Sequence, residues 1–241
     1  MDIGLDTVFC FGIYPYVAIA IMIVGSIIRY DREPYSWRSG SSQLLRRRQL
    51  MVGSLLFHLG VLVILGGHLG GLLVPIEVFD WIGIGHGFKQ VLAMVAGGVA
   101  GVFAIIGATL LVHRRFFDAR IRATSSFADN AIILILWVQL ALGLATVPLS
   151  AGHLDGSEMV KFMSWARGLY TFDLMASSYV EHVHPIFKIH LGLGLTIFLL
   201  FPFTRLVHIL SAPVRYMWRP GYQIVRTKRR SDRRNRMSAA E

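Results

Sequence analysis

Residues 55–71 read LLFHLGVLVILGGHLGG. The stretch lies within a run from Gln49 to Ile76 that is uncharged apart from its histidines. A helix needs about 20 apolar residues to cross the hydrocarbon core of a bilayer. The run therefore reads as a membrane helix that carries two imidazoles, His58 and His68. Four more segments pass the same test, which places helices at about 8–28, 49–76, 90–112, 130–150 and 185–210. Lys188 and Arg205 near the ends of the last can extend their charged heads to the headgroups. No alternating strand of about 10 residues repeats along the chain, which argues against a β-barrel. The expected fold class is an all-α membrane protein. A five-transmembrane-helix bundle fills residues 1–225, and a basic tail fills 226–241.

Composition agrees. The chain has 241 residues, 54% hydrophobic and only 16% charged, where a soluble domain carries about 25%. These figures exclude a disordered chain, a nucleic-acid-binding domain with an ordinary core and a secreted disulfide scaffold. The single cysteine, Cys10, has no internal bridge to make. The N-terminal MDIGLDTVF is acidic and lacks the positive region of a signal peptide, so the first helix is expected to be retained.

The net charge of +10 comes from 24 Lys and Arg against 14 Asp and Glu. Counted by segment, the basic residues number none, six, one, four, three and ten, so alternate segments hold 20 and 4. The positive-inside rule then puts the N-terminus outside and the C-terminus in the cytoplasm.

Four histidines fall inside the expected spans: His58 and His68 on helix two, His190 and His208 on helix five. An ionisable residue in a span marks a functional site by default; the plainer account is a hydrogen bond to a neighbouring helix. His58 and His68 are ten residues apart, about 15 Å of rise, and His190 and His208 are eighteen apart, about 27 Å and five full turns. Helices two and five run antiparallel. His58 then meets His208 near the cytoplasmic side, and His68 meets His190 near the outer side. Two facing imidazoles at one depth suit the axial positions of a b-type haem in a helix bundle, so two pairs imply two haem b groups. Tilt, ligand rotamers or a kink at Pro202 must absorb the difference of about 12 Å between the two rises. His182 or His184 replaces His190 if helix five starts earlier.

Other residues fit around this pair of sites. Gly53, Gly60, Gly66, Gly67, Gly70, Gly71, Gly192 and Gly194 permit close approach of a porphyrin, or of another helix. Gly97, Gly98, Gly101 and Gly107 read as packing glycines. Arg205, Arg114 and Arg115 lie at the inner depth and are candidates for haem propionates, although positive-inside topology alone also accounts for them. Two haems across a bilayer carry electrons. There is no nucleophile motif, phosphate loop or iron–sulfur cysteine set, so no catalytic residue is expected and the electron source is a quinol from the lipid pool. Lys89, the only basic residue of its outer loop, is placed to hydrogen-bond a quinone oxygen, or is an ordinary interfacial lysine. The loop 152–188 carries Trp165, Tyr170, Phe172 and Tyr179, an interfacial aromatic belt. A short amphipathic helix at about 156–170 is expected to roof the outer haem and the quinol pocket.

Several stretches carry rare residues at characteristic spacing: FGIYPYVA, RYDREPYSWRSGSSQ, LLFHLGVLVILGGHLGG, FKQVLAMVAGG, RRFFDARIRAT, VPLSAGHLDGSEMVKFMSWARG and HLGLGLTIFLLFPFTRLVHILSAPV. Across nearly its whole length the chain resembles the gamma subunit of respiratory nitrate reductase, a dihaem cytochrome b membrane anchor. The resemblance implies the same four ligands and the same antiparallel pairing. It implies that Gly67 and Lys89, with His68, belong to a site that oxidises menaquinol or ubiquinol and releases protons outside. It further implies passage of electrons to a cytoplasmic iron–sulfur subunit and on to a molybdenum subunit that reduces nitrate, in a bacterial or archaeal cell membrane. The Arg-rich extension after about Val225 departs from the family's short end. Two other functions remain open on residue chemistry alone: the same anchor serving a different terminal reductase, and a haem-free membrane scaffold or transporter.

Overall fold

The computed structural model describes residues 4–37, 45–152 and 154–211. Among these every regular element is helical. The helices group into one compact unit, Met1–His208, and Ile209–Glu241 form a second. The basic tail at 226–241 lies outside the described residues.

Helix α1 runs Leu5–Arg32. It holds a π turn at Phe9–Ile13, just ahead of Pro15, whose ring and missing N–H cannot join a regular i→i−4 ladder. Helix α2 runs Arg47–Leu73. It stops because the residue before a proline avoids helical angles: Val74 is extended, and Pro75 opens the short α3, Ile76–Trp81. Gly83, at φ +76°, turns the chain into α4, His86–Phe117. Asp118 ends α4 and caps α5, Ala119–Ala123, by accepting from the Arg120 and Ile121 N–H groups at 3.0 and 3.2 Å. The Ile121 N–H first, and Arg46 after it, hold the Asp118 carboxyl below its usual range. Helix α6, Phe127–Ser150, starts at the N-cap Ser126, which accepts from the Asp129 N–H at 3.1 Å. Helix α7 is Ser157–Tyr170, where the sequence predicts an amphipathic helix. Helix α8 is Pro185–Leu200.

Among the described residues five helices are long and apolar enough to cross a membrane: α1, α2, α4, α6 and α8 with its continuation to Phe203. They carry many exposed apolar side chains, among them Leu55, Leu59, Leu62 and Leu69 of α2 and Val95, Val99 and Phe103 of α4. This is a multi-pass membrane protein, and lipid tails are as apolar as these side chains. Helices in lipid associate through close packing of small residues rather than by the hydrophobic effect. The α2–α4 contact is built that way. A Cβ added at Gly60 would lie 2.5 Å from the Ala100 carbonyl, and one at Gly107 would lie 2.4 Å from the Phe57 nitrogen.

The largest departure from the sequence expectation is the end of helix five. It is not one helix to residue 210. The α-helix stops at Leu200 and gives way to 3-10 segments at Phe201–Phe203 and Arg205–Ile209, with Thr204 extended between them. Pro202 is the cause, since it donates no hydrogen bond and its ring crowds the preceding turn. Two residues one turn apart on α1 hold the break. Gly25 lets Pro202 close in, because a Cβ there would meet the proline ring at 2.8 Å. Arg29 donates to the carbonyls of Pro202 and Thr204 at 2.7 and 2.8 Å.

Candidate functional site

The four span histidines meet in two pairs. The rings of His58 and His208 have centres 6.1 Å apart, and those of His68 and His190 6.2 Å. The first histidine of α2 faces the last of the chain's final span, so the two elements run antiparallel. The broken end carries His208 to its partner, so the five-turn, single-face geometry of an unbroken helix does not apply. The start of α8 resolves the ambiguity over neighbouring histidines: Pro185 occupies the first turn and the His184 side chain accepts from the Ile186 N–H as the cap. His182 and His184 thus precede the helix that carries His190.

Backbone carbonyls orient three of the imidazoles. His58 Nδ1 is 2.7 Å from the Ser54 carbonyl, His68 Nδ1 is 2.8 Å from the Ile64 carbonyl, and His208 Nδ1 bonds the Arg205 carbonyl. Donation through Nδ1 fixes the tautomer in which Nε2 carries the lone pair, and it raises the basicity of that nitrogen toward a metal. His190 is placed sterically instead, its ring set against α6 where a Cβ at Gly143 would lie 3.0 Å from Cε1.

The spacing fits an iron held between two imidazoles. Metal–nitrogen bonds of about 2 Å on each side, with about 1.1 Å from each nitrogen to its ring centre, set the centres roughly 6 Å apart. Among the described residues no three His, Cys, Asp or Glu converge as they would on a bare ion, so the remaining equatorial ligands would have to come from a macrocycle. The glycines divide to match. Added Cβ atoms at Gly66, Gly67, Gly70, Gly71 and Gly192 meet nothing within 4 Å, and these flank His68 and His190. Gly53 and Gly60 do not belong with them, because both press against α4. Gly97 and Gly98 leave the packing set, as their sites are open too, while Gly101 and Gly107 are tightly packed.

Lys89 is buried at 8% exposure. Its Nζ donates to the Gly71 carbonyl at 3.3 Å and to Met163 Sδ at 3.0 Å, and it lies 3.5 Å from the Phe79 ring centre. Gly71 is one turn beyond Gly67 on α2, so the ammonium sits on the same helix as His68. Helix α7 covers it through Met163. That helix is anchored by Trp165, which donates to the Phe11 carbonyl at 2.9 Å, and by Arg167, which bonds Glu77 of α3. The Glu77 carboxyl is held below its usual range by a backbone hydrogen bond and, next, by Arg167.

The three expected propionate arginines have protein partners. Arg114, only 4% exposed, donates to the Leu45 carbonyl at 2.8 Å. Arg205 Nε donates to Asp129 Oδ1 at 2.7 Å, and Arg115 lies 3.5 Å from Asp129 Oδ2 and donates to Ser125. Asp129 and Arg29 are the residues that sequence reasoning missed. No local signal separates Asp129 from Asp118 in the same basic loop; for Arg29 the signal was an arginine one turn from a glycine.

A family model described as nitrate reductase gamma subunit matches residues 7–228. The chain is 49% identical over 221 residues to the respiratory nitrate reductase 1 gamma chain of Escherichia coli (strain K12), covering 91% of this chain and 97% of that one. It is 38% identical over 217 residues to the nitrate reductase gamma chain of Bacillus subtilis (strain 168), 90% and 96%. A more distant match, 25% identical over 268 residues and covering 85% and 78%, is the Hdr-like menaquinol oxidoreductase cytochrome b-like subunit of Archaeoglobus fulgidus.

Proposed function

We propose that this chain, which belongs to the nitrate reductase gamma subunit family, oxidises quinol near the outer membrane face and delivers the electrons to an iron–sulfur subunit on the cytoplasmic side. Family membership makes it the membrane cytochrome b subunit of a respiratory nitrate reductase, an oxidoreductase complex. Nitrate reduction itself falls to a molybdenum-bearing partner. The observation that carries the reading is the antiparallel meeting of four imidazoles as two pairs, at 6.1 and 6.2 Å.

Two b haems, when bound, supply one-electron carriers between the quinol and the iron–sulfur partner. His58 and His208 would hold one, His68 and His190 the other, each through Nε2. Carbonyl acceptors on Nδ1 of His58, His68 and His208 keep those rings from turning. Gly67 leaves open ground beside His68, and Lys89 brings a buried ammonium to that end of α2. Oxidation of a quinol removes two electrons and two protons. A lysine hydrogen-bonded to the quinol oxygen favours the deprotonated form, because charge-assisted bonds strengthen as the oxygen gains charge. Met163 and Phe79 exclude water around it. Arg115 and Arg205 leave one uncompensated positive charge over Asp129, suited to a propionate. Moving electrons inward while protons stay outside costs about 2.3 kcal/mol per charge per 100 mV, so the reaction must release more than that work.

The likeness to the archaeal menaquinol oxidoreductase subunit favours a second reading, the same quinol-oxidising anchor serving a different terminal reductase. Purification of the chain from its native membrane tests both readings. The expected result is a Soret band with two haems per chain and co-purification of iron–sulfur and molybdenum subunits. His58→Ala or His208→Ala should remove one haem, and His68→Ala or His190→Ala the other. No Soret band in the native preparation would overturn the proposal in favour of a haem-free scaffold or transporter. Haem with a different catalytic partner would establish the second reading.

A further inference from the structure

We infer that Asp129 is a positioning residue for the His58–His208 pair: it grips Arg205, whose main chain presents His208, and it sets the negative charge beside that pair. The inference rests on reading the pair as haem ligands. Three observations converge on it. Arg205 Nε donates to Asp129 Oδ1 at 2.7 Å. The Arg205 carbonyl accepts from His208 Nδ1. The residue between α8 and this turn, Thr204, is extended, so no α-helical ladder from α8 holds His208 in place. What an unbroken helix would do with backbone hydrogen bonds is shared here by side chains from other helices, Arg29 at the Pro202 and Thr204 carbonyls and Asp129 at the Arg205 guanidinium.

The carboxylate also ties three elements together. Asp129 lies in the first turn of α6, where its backbone N–H donates to the N-cap Ser126 Oγ at 3.1 Å. Arg205 reaches it from the Arg205–Ile209 turn, and Arg115 reaches it from the end of α4 at 3.5 Å. Both arginine side chains are mostly shielded, at 14% and 25% exposure, and Asp129 at 21%. Shielding strengthens the charge contacts relative to water. One carboxylate between two guanidinium groups leaves a single net positive charge. Loss of the carboxylate leaves two, in a region where iron changes its charge by one on reduction. A more positive surrounding stabilises the reduced form.

The test uses the intact complex with Asp129→Asn, Asp129→Ala and Asp129→Glu, the haem of the His58–His208 pair being identified as the one missing from His58→Ala. Redox titration of Asp129→Asn should show an upward shift of that haem's midpoint, with the other haem unmoved. Asp129→Ala, which also loses the grip on Arg205, should alter the low-spin spectrum of the same haem or lower its occupancy. Asp129→Glu, which keeps the charge, should fall closer to the native protein on both counts. Unchanged midpoint and spectrum in folded Asn and Ala variants would overturn the inference. So would equal disturbance of both haems, or a Glu variant as perturbed as Ala, since either marks a packing role only. Absence of haem from the unsubstituted complex would instead overturn the reading of the histidine pairs, a result these variants do not mimic.

Discussion

Lys89 is a single charge carried into the bundle with soft partners. A carbonyl oxygen, a thioether and an aromatic face surround its ammonium, and none of them is an anion. An ammonium so placed is poised to exchange a weak acceptor for a better one, and a quinol oxygen is better. Hydrogen bonds to charged groups contribute about 1.5–3 kcal/mol, and about 1.4 kcal/mol is tenfold in rate. Lys89→Ala should therefore slow quinol oxidation by roughly tenfold to a hundredfold while both haems stay bound. Quinol-driven haem reduction in stopped flow measures the first quantity, and the absorption spectrum the second. Unaltered kinetics would remove Lys89 from the quinol site. Position made this residue legible in the sequence, as the one basic side chain of its loop. Asp129 was not legible, because a carboxylate in the first turn of a helix has an ordinary explanation at the helix N-terminus. Only the fold brings Arg115 and Arg205 to it from residues 14 and 76 positions away.

Among the elements, α2 carries two kinds of glycine on one helix. Gly53 and Gly60 face α4, and Gly66, Gly67, Gly70 and Gly71 face open ground. The run of small residues was legible, but its division was not, since that depends on which face of α2 meets a neighbour. The division gives opposite expectations for the same substitution. A methyl at Gly107 or Gly60 would fall within 2.4–2.5 Å of backbone on the opposing helix. Overpacking of this kind costs about 1–3 kcal/mol. Gly107→Ala and Gly60→Ala should thus lower the thermal midpoint of the detergent-solubilised protein, whether haem is bound or not. Gly70→Ala meets no protein atom within 4 Å; it should leave the stability of the haem-free protein within about 0.5 kcal/mol and act, if at all, on haem content. Equal melting losses at both kinds of site would contradict the packing assignment. The break in the last span follows the same logic. Pro202 is plain in the sequence, and a kink there was one expectation. The extended Thr204 and the clamp from Arg29 depend on contacts some 175 positions apart, which no local pattern announces.

Across the whole molecule, the charges at the two ends are handled differently. At the end with Lys89, basic side chains have acids beside them: Lys161 lies 2.6 Å from Glu158, and Arg167 bonds Glu77. That end is net acidic, with eight Asp and Glu against four Lys and Arg over residues 1–8, 74–89 and 151–188. At the other end lie Arg29, Arg46, Arg114, Arg115 and Arg205, from four chain segments; among the described residues Asp118 pairs with Arg46, and Asp129 with Arg115 and Arg205. In the sequence that side holds 20 of the 24 basic residues against six acids, which outweighs the acidic side and leaves the net +10. Arginine-rich loops stay on the cytoplasmic side during insertion, whereas acidic residues have little influence. From the twenty-to-four asymmetry of the sequence we propose one orientation, with the N-terminus outside and the basic end inside. On the proposed function that orientation would set the direction of electron flow: the Lys89 end would be where quinol gives up its protons, and the Asp129 end where the soluble partner docks. A reporter fused after Glu241 should be active only in the cytoplasm, and one fused before Met1 only outside. The reverse pattern would invert the orientation and move the quinol site to the cytoplasmic face, so that oxidation there would no longer leave protons outside.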